Sequence, residues 1–205
     1  MREPLLDINA VIEIGAVLAA YLIGSIPFGL LVAKALRGVD PRRRGSGNIG
    51  ATNVLRVAGK REALLTFLAD FLKGAFPVGF ARWLNGGEGL LLTLGLAAIL
   101  GHIFPLFLSF KGGKGVATSF GVFMALSPLI ALAAALVWGA GVYFGKYSSV
   151  GALAAFIALP FLALLIRPER RFALFSFGIS ALVCVRHREN IVRLIHGAEG
   201  RGQQP

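Results

Sequence analysis

The chain is poor in cysteine, histidine and acidic residues. Its 205 residues include one cysteine, three histidines and ten aspartates and glutamates. A single cysteine cannot form an intramolecular disulfide, and Cys184 lies inside an apolar run, so we interpret it as a packing residue. No group of histidines and carboxylates has metal-ligand spacing, and no nucleophile elbow or Cys–His pair is visible. We therefore expect no metal, no cofactor and no covalent mechanism.

Basic residues outnumber acidic ones by 21 to 10, which gives a formal charge of +11. Such a charge would ordinarily suggest nucleic acid, but here Lys and Arg stand in short clusters between apolar runs instead of along one amphipathic face. Membrane topology explains this pattern better, and we expect no nucleic-acid partner.

Hydrophobic residues make up 56% of the chain, and they form stretches too long for an ordinary water-soluble core. The residues before the first stretch lack the basic region of a removable signal peptide, so that stretch is expected to be a retained span. We therefore expect an all-α polytopic protein with a single integral membrane domain over residues 1–205. The apolar runs cover about 8–36, 63–84, 90–108, 116–145 with a break at Ser127-Pro128, 150–166 and 172–185.

The charge distribution orients these spans. Three segments, 38–61, 109–119 and 186–199, carry most of the positive charge, and short basic loops stay on the cytoplasmic side. Placing all three there requires either two or four spans between residues 116 and 185. Breaks at 145–149, at 167–171 and at Ser127-Pro128 favour four, although Arg167, Arg170 and Arg171 then face outward. We expect seven transmembrane helices, with five as the alternative, the N-terminus outside and the C-terminus in the cytoplasm.

The first basic segment has the composition of an anion-binding loop. Glycines allow consecutive N–H groups to converge, and Ser, Thr and Asn side chains add donors around them. A flexible polar loop with an arginine run is the alternative interpretation. The residues that suggest anion binding are Gly45, Ser46, Gly47, Asn48, Thr52, Asn53 and, slightly further on, Arg56.

The second segment places Lys114 between Gly113 and Gly115 at the predicted start of a helix. An anion there would gain from free N–H groups, the helix dipole and the ammonium charge. Two lysines at a membrane boundary, with no ligand, are the alternative. In the third segment, His187 and Asn190 share one face of a predicted helix, although an arginine-rich interfacial helix end would look similar.

Three further polar positions lie near or within the spans. Asp70 and Lys73 are three residues apart, and we expect them to form a structural ion pair. His102 is expected to be a structural hydrogen-bonding residue in its helix. Ser149 reaches the cytoplasmic side, and can join a site there, only in the seven-helix arrangement.

In order and spacing, residues 45–53, 111–118 and 186–191 together resemble the bacterial acyl-phosphate:glycerol-3-phosphate acyltransferases. The likeness runs nearly end to end and extends to residues 24–29, 70–74, Gly101-His102, Gly197 and Glu199, with its weakest match at 147–149. The resemblance implies a protein of the bacterial inner membrane with its active site on the cytoplasmic side. It also implies transfer of an acyl group from a fatty acyl phosphate to the first hydroxyl of glycerol 3-phosphate, which yields lysophosphatidic acid and phosphate.

The resemblance also implies site residues. Ser46, Arg56, Lys114, His187 and Asn190 are expected to be catalytic, and the substrate-binding set is expected to be Gly45, Gly47, Asn48, Thr52, Asn53, Gly113, Gly115 and Ser149. Arg56 and Asn190 would hold glycerol phosphate, and Lys114 would neutralise phosphate charge. Either His187 or the substrate's own phosphate would take the hydroxyl proton.

A transporter or channel for small phosphorylated solutes is the competing function. It predicts charges along the spans and halves with related hydropathy. The polar residues concentrate at one face instead, which favours the acyltransferase.

Overall fold

A computed structural model describes residues 8–200 of the chain. Within that range the chain forms ten α-helices and a short 3-10 turn at Leu106–Leu108, with no strand. Residues 1–7, on which the signal-peptide prediction depends, lie outside the described range. The helices are α1 (Ile8–Ser25), α2 (Phe28–Arg37), α3 (Ala51–Val57), α4 (Lys60–Trp83), α5 (Glu88–Ile103), α6 (Val116–Leu126), α7 (Pro128–Gly145), α8 (Ser148–Ile166), α9 (Arg170–Arg186) and α10 (Arg188–Ile195).

Helix breaks follow the prolines and the polar interruptions. The predicted break at Ser127-Pro128 is confirmed, since α6 ends at Leu126 and α7 starts with Pro128 in its first turn, where a missing N–H costs nothing. The breaks near 145–149 and 167–171 are confirmed as well. The first apolar run, expected to be continuous, is interrupted at Ile26-Pro27. There the Ile26 carbonyl accepts a hydrogen bond from Lys73 Nζ at 2.8 Å.

Glycines let the helices approach to backbone contact. A Cβ on Gly24 of α1 would lie 2.2 Å from the Ala98 carbonyl oxygen of α5, and one on Gly121 of α6 would lie 1.9 Å from the Phe71 carbonyl oxygen of α4. Close approach through small residues is a main source of helix association in lipid. Gly24 and Gly121 therefore serve helix packing.

A polar network marks one end of the bundle. Arg82 at the end of α4 donates to the Leu126 carbonyl, where α6 ends, at 2.8 Å. Arg167, just after α8, donates to the same carbonyl at 3.3 Å and to Glu88, at the start of α5, at 2.7 Å. The helices α4, α5, α6 and α8 therefore all have one terminus at this end, which we call the distal end.

The helices are apolar enough for a membrane. Among residues 8–200, five helical segments are long and apolar enough to cross a bilayer, and α6 and α9, with 11 and 17 residues, are shorter. Large apolar side chains face outward, including Leu136, Phe144 and Leu165 with exposures of 76%, 79% and 81%. Such a surface suits lipid and not water. The chain is a multi-pass membrane protein. The segments are Ile8–Arg37, Lys60–Trp83, Glu88–Leu108, Pro128–Gly145 and Ser148–Ile166.

Candidate active site

A cavity of about 460 Å³ opens at the end of the bundle opposite the distal end. Its wall includes most of the predicted site residues, although they come from four separate parts of the chain. Gly45, Gly47 and Gly113 do not line it. The predicted residues in the wall are Ser46, Asn48, Thr52, Asn53, Arg56, Lys114, Gly115, Ser149, His187 and Asn190.

Asn53 organises the first basic segment. Its Nδ2 donates to the carbonyls of Pro41 (2.8 Å), Arg44 (3.1 Å) and Asn48 (2.8 Å), and its Oδ1 accepts from the Ser46 N–H at 2.8 Å. The side chain is buried at 2% exposure. These bonds already use its amide group, so Asn53 fixes the shape of the loop, and its predicted contact with substrate stays a prediction.

Gly45 and Gly47 shape this same loop. Both have positive φ, +62° and +71°, and a Cβ on Gly45 would lie 2.3 Å from Asn53 Oδ1. Only glycine adopts such a conformation without strain. Their predicted contact with substrate stays a prediction, whereas their contribution to the loop is visible in the structure.

The second loop brings Lys114 over the cavity. Gly112 and Gly113 donate backbone hydrogen bonds to the carbonyls of Ile103 (3.2 Å) and His102 (3.1 Å) at the end of α5. Gly115 has a φ of +85° and immediately precedes α6. The predicted helix start after the glycines is therefore confirmed, and the loop is fastened to α5.

A hydrogen-bonded chain connects Lys114 to three other segments. Lys114 Nζ donates to Asn190 Oδ1. Asn190 Nδ2 donates to Glu199 Oε1 at 2.7 Å, and Ser149 Oγ donates to the same oxygen at 2.8 Å. Arg193 Nε donates to the other oxygen of Glu199 at 3.0 Å. One carboxylate thus joins α8, α10 and the segment after α10.

The charges of this hydrogen-bonded network favour phosphate binding. Burial, with the nearby Arg193 charge, lowers the pKa of Lys114 from 10.5 to about 8. Burial alone would raise the pKa of Glu199, but hydrogen bonds from Ser149, Asn190 and Arg193 hold it below its usual range. A partly buried ammonium ion in a polar cavity wall is a strong anion ligand.

His187 lies at the joint between α9 and α10, with 3% exposure. Its Nδ1 is 2.8 Å from the Val183 carbonyl oxygen. Because a carbonyl only accepts, Nδ1 carries the proton, and the Nε2 lone pair of a neutral ring stays available. Burial chiefly, together with the Lys114 charge, lowers the pKa of His187 to about 4, so the ring is neutral near pH 7.

Arg56, Ser46 and Thr52 lie at the exposed mouth of the cavity. Thr52 Oγ1 is 3.2 Å from the Ser148 hydroxyl, which links α3 to the start of α8. The guanidinium of Arg56 makes no hydrogen bond or ion pair with another residue in the described range 8–200. It is therefore available to a ligand.

Sequence reasoning missed three ionisable residues of the cavity wall as site members: Asp70, His102 and Glu199. Glu199 stands in the third segment, where basic residues outnumber the two carboxylates, and a carboxylate in such surroundings could have indicated an internal partner. Asp70 and His102 come from different helices, so only helix packing brings them to the cavity. The predicted ion pair between Asp70 and Lys73 is confirmed at 2.8 Å.

The deeper part of the cavity is apolar. Aromatic and aliphatic side chains from α4, α6 and α7 form it, and no charged residue accompanies them beyond Asp70 in the described chain. A polar mouth joined to an apolar interior fits an amphiphilic ligand. These side chains are Phe67, Phe71, Phe120, Met124, Ala131, Ala135 and Trp138.

The family model for glycerol-3-phosphate acyltransferase matches residues 14–197. The chain belongs to this acyltransferase family. It is 50% identical over 187 residues to a glycerol-3-phosphate acyltransferase of Geotalea daltonii, which covers 91% of this chain and 96% of the relative. It is 46% identical over 193 residues to the enzyme of that name from Neisseria meningitidis serogroup A, which covers 92% and 96%.

The acyltransferase also resembles a solved membrane protein. PlsY, described as an integral membrane glycerol 3-phosphate acyltransferase, matches in its glycerol 3-phosphate form with a TM-score of 0.87 and 44% identity, over 91% of this chain and 94% of that one. Its lysophosphatidic acid form matches with a TM-score of 0.84 and 42% identity, over 91% and 93%. The family resemblance drawn from the three basic segments is therefore confirmed.

Proposed function

We propose that this enzyme transfers a fatty acyl group from acyl phosphate to the 1-hydroxyl of glycerol 3-phosphate. The products are lysophosphatidic acid and inorganic phosphate, and the reaction is the first acylation in phospholipid synthesis. One observation carries the proposal: a single cavity joins Lys114, Arg56 and their polar neighbours at its mouth to an apolar interior. That combination suits two phosphorylated substrates, one of which carries a fatty chain.

The chemistry requires alignment and charge stabilisation. The hydroxyl oxygen attacks the acyl carbonyl carbon, the bond from that carbon to the phosphate oxygen breaks, and phosphate leaves with the electron pair. Because acyl phosphate is already activated, no enzyme nucleophile or metal is needed. Lys114 and Arg56 then neutralise phosphate charge in the cavity, and the cavity holds the two reactants together.

The hydrogen-bonded chain suggests how the roles divide. Asn190 is bonded to Lys114 and to Glu199, so its amide and the ammonium ion would hold one phosphate together, and we assign that to glycerol 3-phosphate. Arg56 at the mouth would hold the same phosphate from the other side. Ser46 and Ser149 would donate to either substrate, and Asn48, Thr52 and Gly115 complete the polar wall.

The hydroxyl proton passes to the phosphate of glycerol 3-phosphate in our proposal. The second pKa of a phosphomonoester is near 6, whereas the pKa of His187 is lowered to about 4. The phosphate is therefore the stronger base. The Nε2 lone pair of His187 accepts a hydrogen bond from the hydroxyl and orients it for attack.

We propose seven membrane crossings, with the cavity mouth, the C-terminal segment and all three basic segments in the cytoplasm of a bacterial cell. Lys114, Ser149 and His187 line one cavity. Between Lys114 and Ser149, and again between Ser149 and His187, the chain would therefore cross to the distal end and come back. That gives two crossings, α6 and α7, before Ser149, and two more, α8 and α9, before His187. The short basic loops support the cytoplasmic side. Residues 1–205 would then form one membrane domain.

The reaction can be tested on the purified protein in lipid vesicles. Phosphate release from palmitoyl phosphate should require glycerol 3-phosphate and should yield lysophosphatidic acid in equal amount. Lys114→Ala should lower the rate about 100-fold or more, since a partly buried charge that holds the phosphate of glycerol 3-phosphate beside the reacting groups is removed. Lys146→Ala, at an exposed lysine on the loop between α7 and α8, is the matched control and should retain activity.

The same vesicles test the competing function. Uptake of labelled glycerol 3-phosphate without phosphate release or acyl transfer would refute the acyltransferase and support a transporter. Equal loss of activity in both lysine variants would remove Lys114 from the site.

A further inference from the structure

A buried polar cluster lies beside the cavity, within the helical bundle. It consists of Asp70 and Lys73 on α4 and His102 on α5, with exposures of 2%, 4% and 4%. Lys73 Nζ is 2.8 Å from Asp70 Oδ1, and His102 Nδ1 is 3.6 Å from the same oxygen. Within the described chain, His102 Nδ1 has no hydrogen-bond partner. The Asp70 carboxylate is thus the charged group that this ring faces.

The cluster is attached to the rest of the bundle. Lys73 donates to the Ile26 carbonyl at the break between α1 and α2, and its Nζ lies 5.7 Å from the centroid of the Phe28 ring. Charges buried inside a membrane protein are costly and usually have a function. Asp70 and His102 also reach the cavity wall, although the proposed reaction uses neither of them.

His102 is also in contact with the loop that carries Lys114. Its carbonyl accepts the Gly113 N–H at 3.1 Å. A Cβ on Gly113 would lie 2.1 Å from His102 Nε2 and 2.9 Å from Cε1, so the imidazole ring is packed directly against this glycine. Lys114 is the next residue. The ring therefore limits how closely the loop that carries Lys114 can approach α5.

We propose that His102, held by Asp70, is a positioning residue that sets the height of the Lys114 loop above the cavity. The ring fills the space under Gly113, and the Asp70 carboxylate with its Lys73 partner lies against the other side of the ring, 3.6 Å from Nδ1. Lys114 then reaches Asn190 and the phosphate of glycerol 3-phosphate. This inference rests on the proposed function, because it concerns how that site holds its polar substrate.

A double-mutant cycle tests the contact. His102→Ala removes the ring and should raise the KM for glycerol 3-phosphate about tenfold, while the KM for palmitoyl phosphate changes less than about twofold. Gly113→Ala places a methyl group against the ring and should raise the same KM at least as much. In the double variant the methyl group enters the space left by the ring. Its KM should stay close to that of His102→Ala alone instead of reaching the product of both increases.

A variant far from the cavity is the control for the cycle. Arg167→Gln breaks the ion pair with Glu88 at the distal end and should lower the melting temperature without changing either KM. If His102→Ala fails to fold, His102→Asn takes its place in the cycle, because it keeps a polar group facing Asp70 but removes the ring.

Two results would overturn the inference. One is a loss of thermal stability in the His102 variants with an unchanged KM for glycerol 3-phosphate, which describes a merely structural residue. The other is a double variant whose KM equals the product of the single effects. A wild-type enzyme that fails to transfer the acyl group would instead overturn the proposed function, so the wild-type assay separates the two failures.

Discussion

The pKa of Lys114 makes the enzyme's response to alkaline pH a direct test of the site. Burial lowers that pKa to about 8, from 10.5 for an exposed lysine. The ammonium form binds phosphate, so kcat/KM for glycerol 3-phosphate should fall as pH rises through about 8 in the free enzyme. A lysine with an ordinary pKa would stay protonated well beyond pH 9.

The size of the effect follows from the titration. At pH 9, one unit above a pKa of 8, about a tenth of Lys114 is protonated, so kcat/KM should be about tenfold lower than at pH 7. Bound phosphate raises the pKa of an adjacent ammonium ion, so kcat should decline only at higher pH than kcat/KM. Initial rates of phosphate release between pH 6.5 and 9.5, at several concentrations of glycerol 3-phosphate, measure both quantities.

Lys114→Arg provides the matched comparison. A guanidinium stays charged throughout this pH range, so whatever activity the variant retains should not decline near pH 8. A wild-type profile that is flat to pH 9.5, or a decline at pH 8 that persists in the Lys114→Arg variant, would refute the assignment of this limb to Lys114.

Two more substitutions test the polar wall. Glu199→Gln should lower the free energy of unfolding by about 1–3 kcal/mol, because a charged acceptor of three hydrogen bonds is lost. The pKa of Glu199 is lowered in the folded state, so its contribution to stability is present above an unfolded pKa near 4.5 and is lost as pH falls below that. Melting curves of wild type and variant should therefore converge in acid, and a constant difference would contradict this. His187→Gln should lower kcat by about 10- to 100-fold but keep a limb near pH 6 in the kcat/KM profile. Loss of that limb with substrate binding intact would make His187 the base.

The sequence predicts the helices and the three basic segments well because each depends on local composition. Apolar runs, glycine-rich loops and the proline at residue 128 carry their structural meaning wherever they occur. The Asp70–Lys73 pair was also predictable, since a spacing of three places both on one helix face. The resemblance to the acyltransferase family predicts that Ser46, Arg56, Lys114, His187 and Asn190 share one site, and all five line the cavity.

Other features depend on how distant segments pack. His102 was expected to bond within its own helix, but its ring faces Asp70 of α4 and lies against Gly113. The first run was expected to be continuous, and the break at Pro27 comes with the Lys73 hydrogen bond to Ile26. The periodicity of one segment cannot predict these contacts, because the partners lie in other segments.

The shortness of α6 bears on the depth at which the proposed reaction would take place. Its 11 residues rise about 16 Å, roughly half the hydrocarbon thickness of a bilayer. The helix begins next to Lys114, and at its other end the Leu126 carbonyl is held by Arg82 and Arg167. In the proposed topology, with the guanidinium groups at the far headgroups, a helix of this length would place the phosphate site well inside the membrane instead of at its surface. A water-soluble substrate would then have to enter through the polar mouth of the cavity before its hydroxyl could meet the acyl carbonyl.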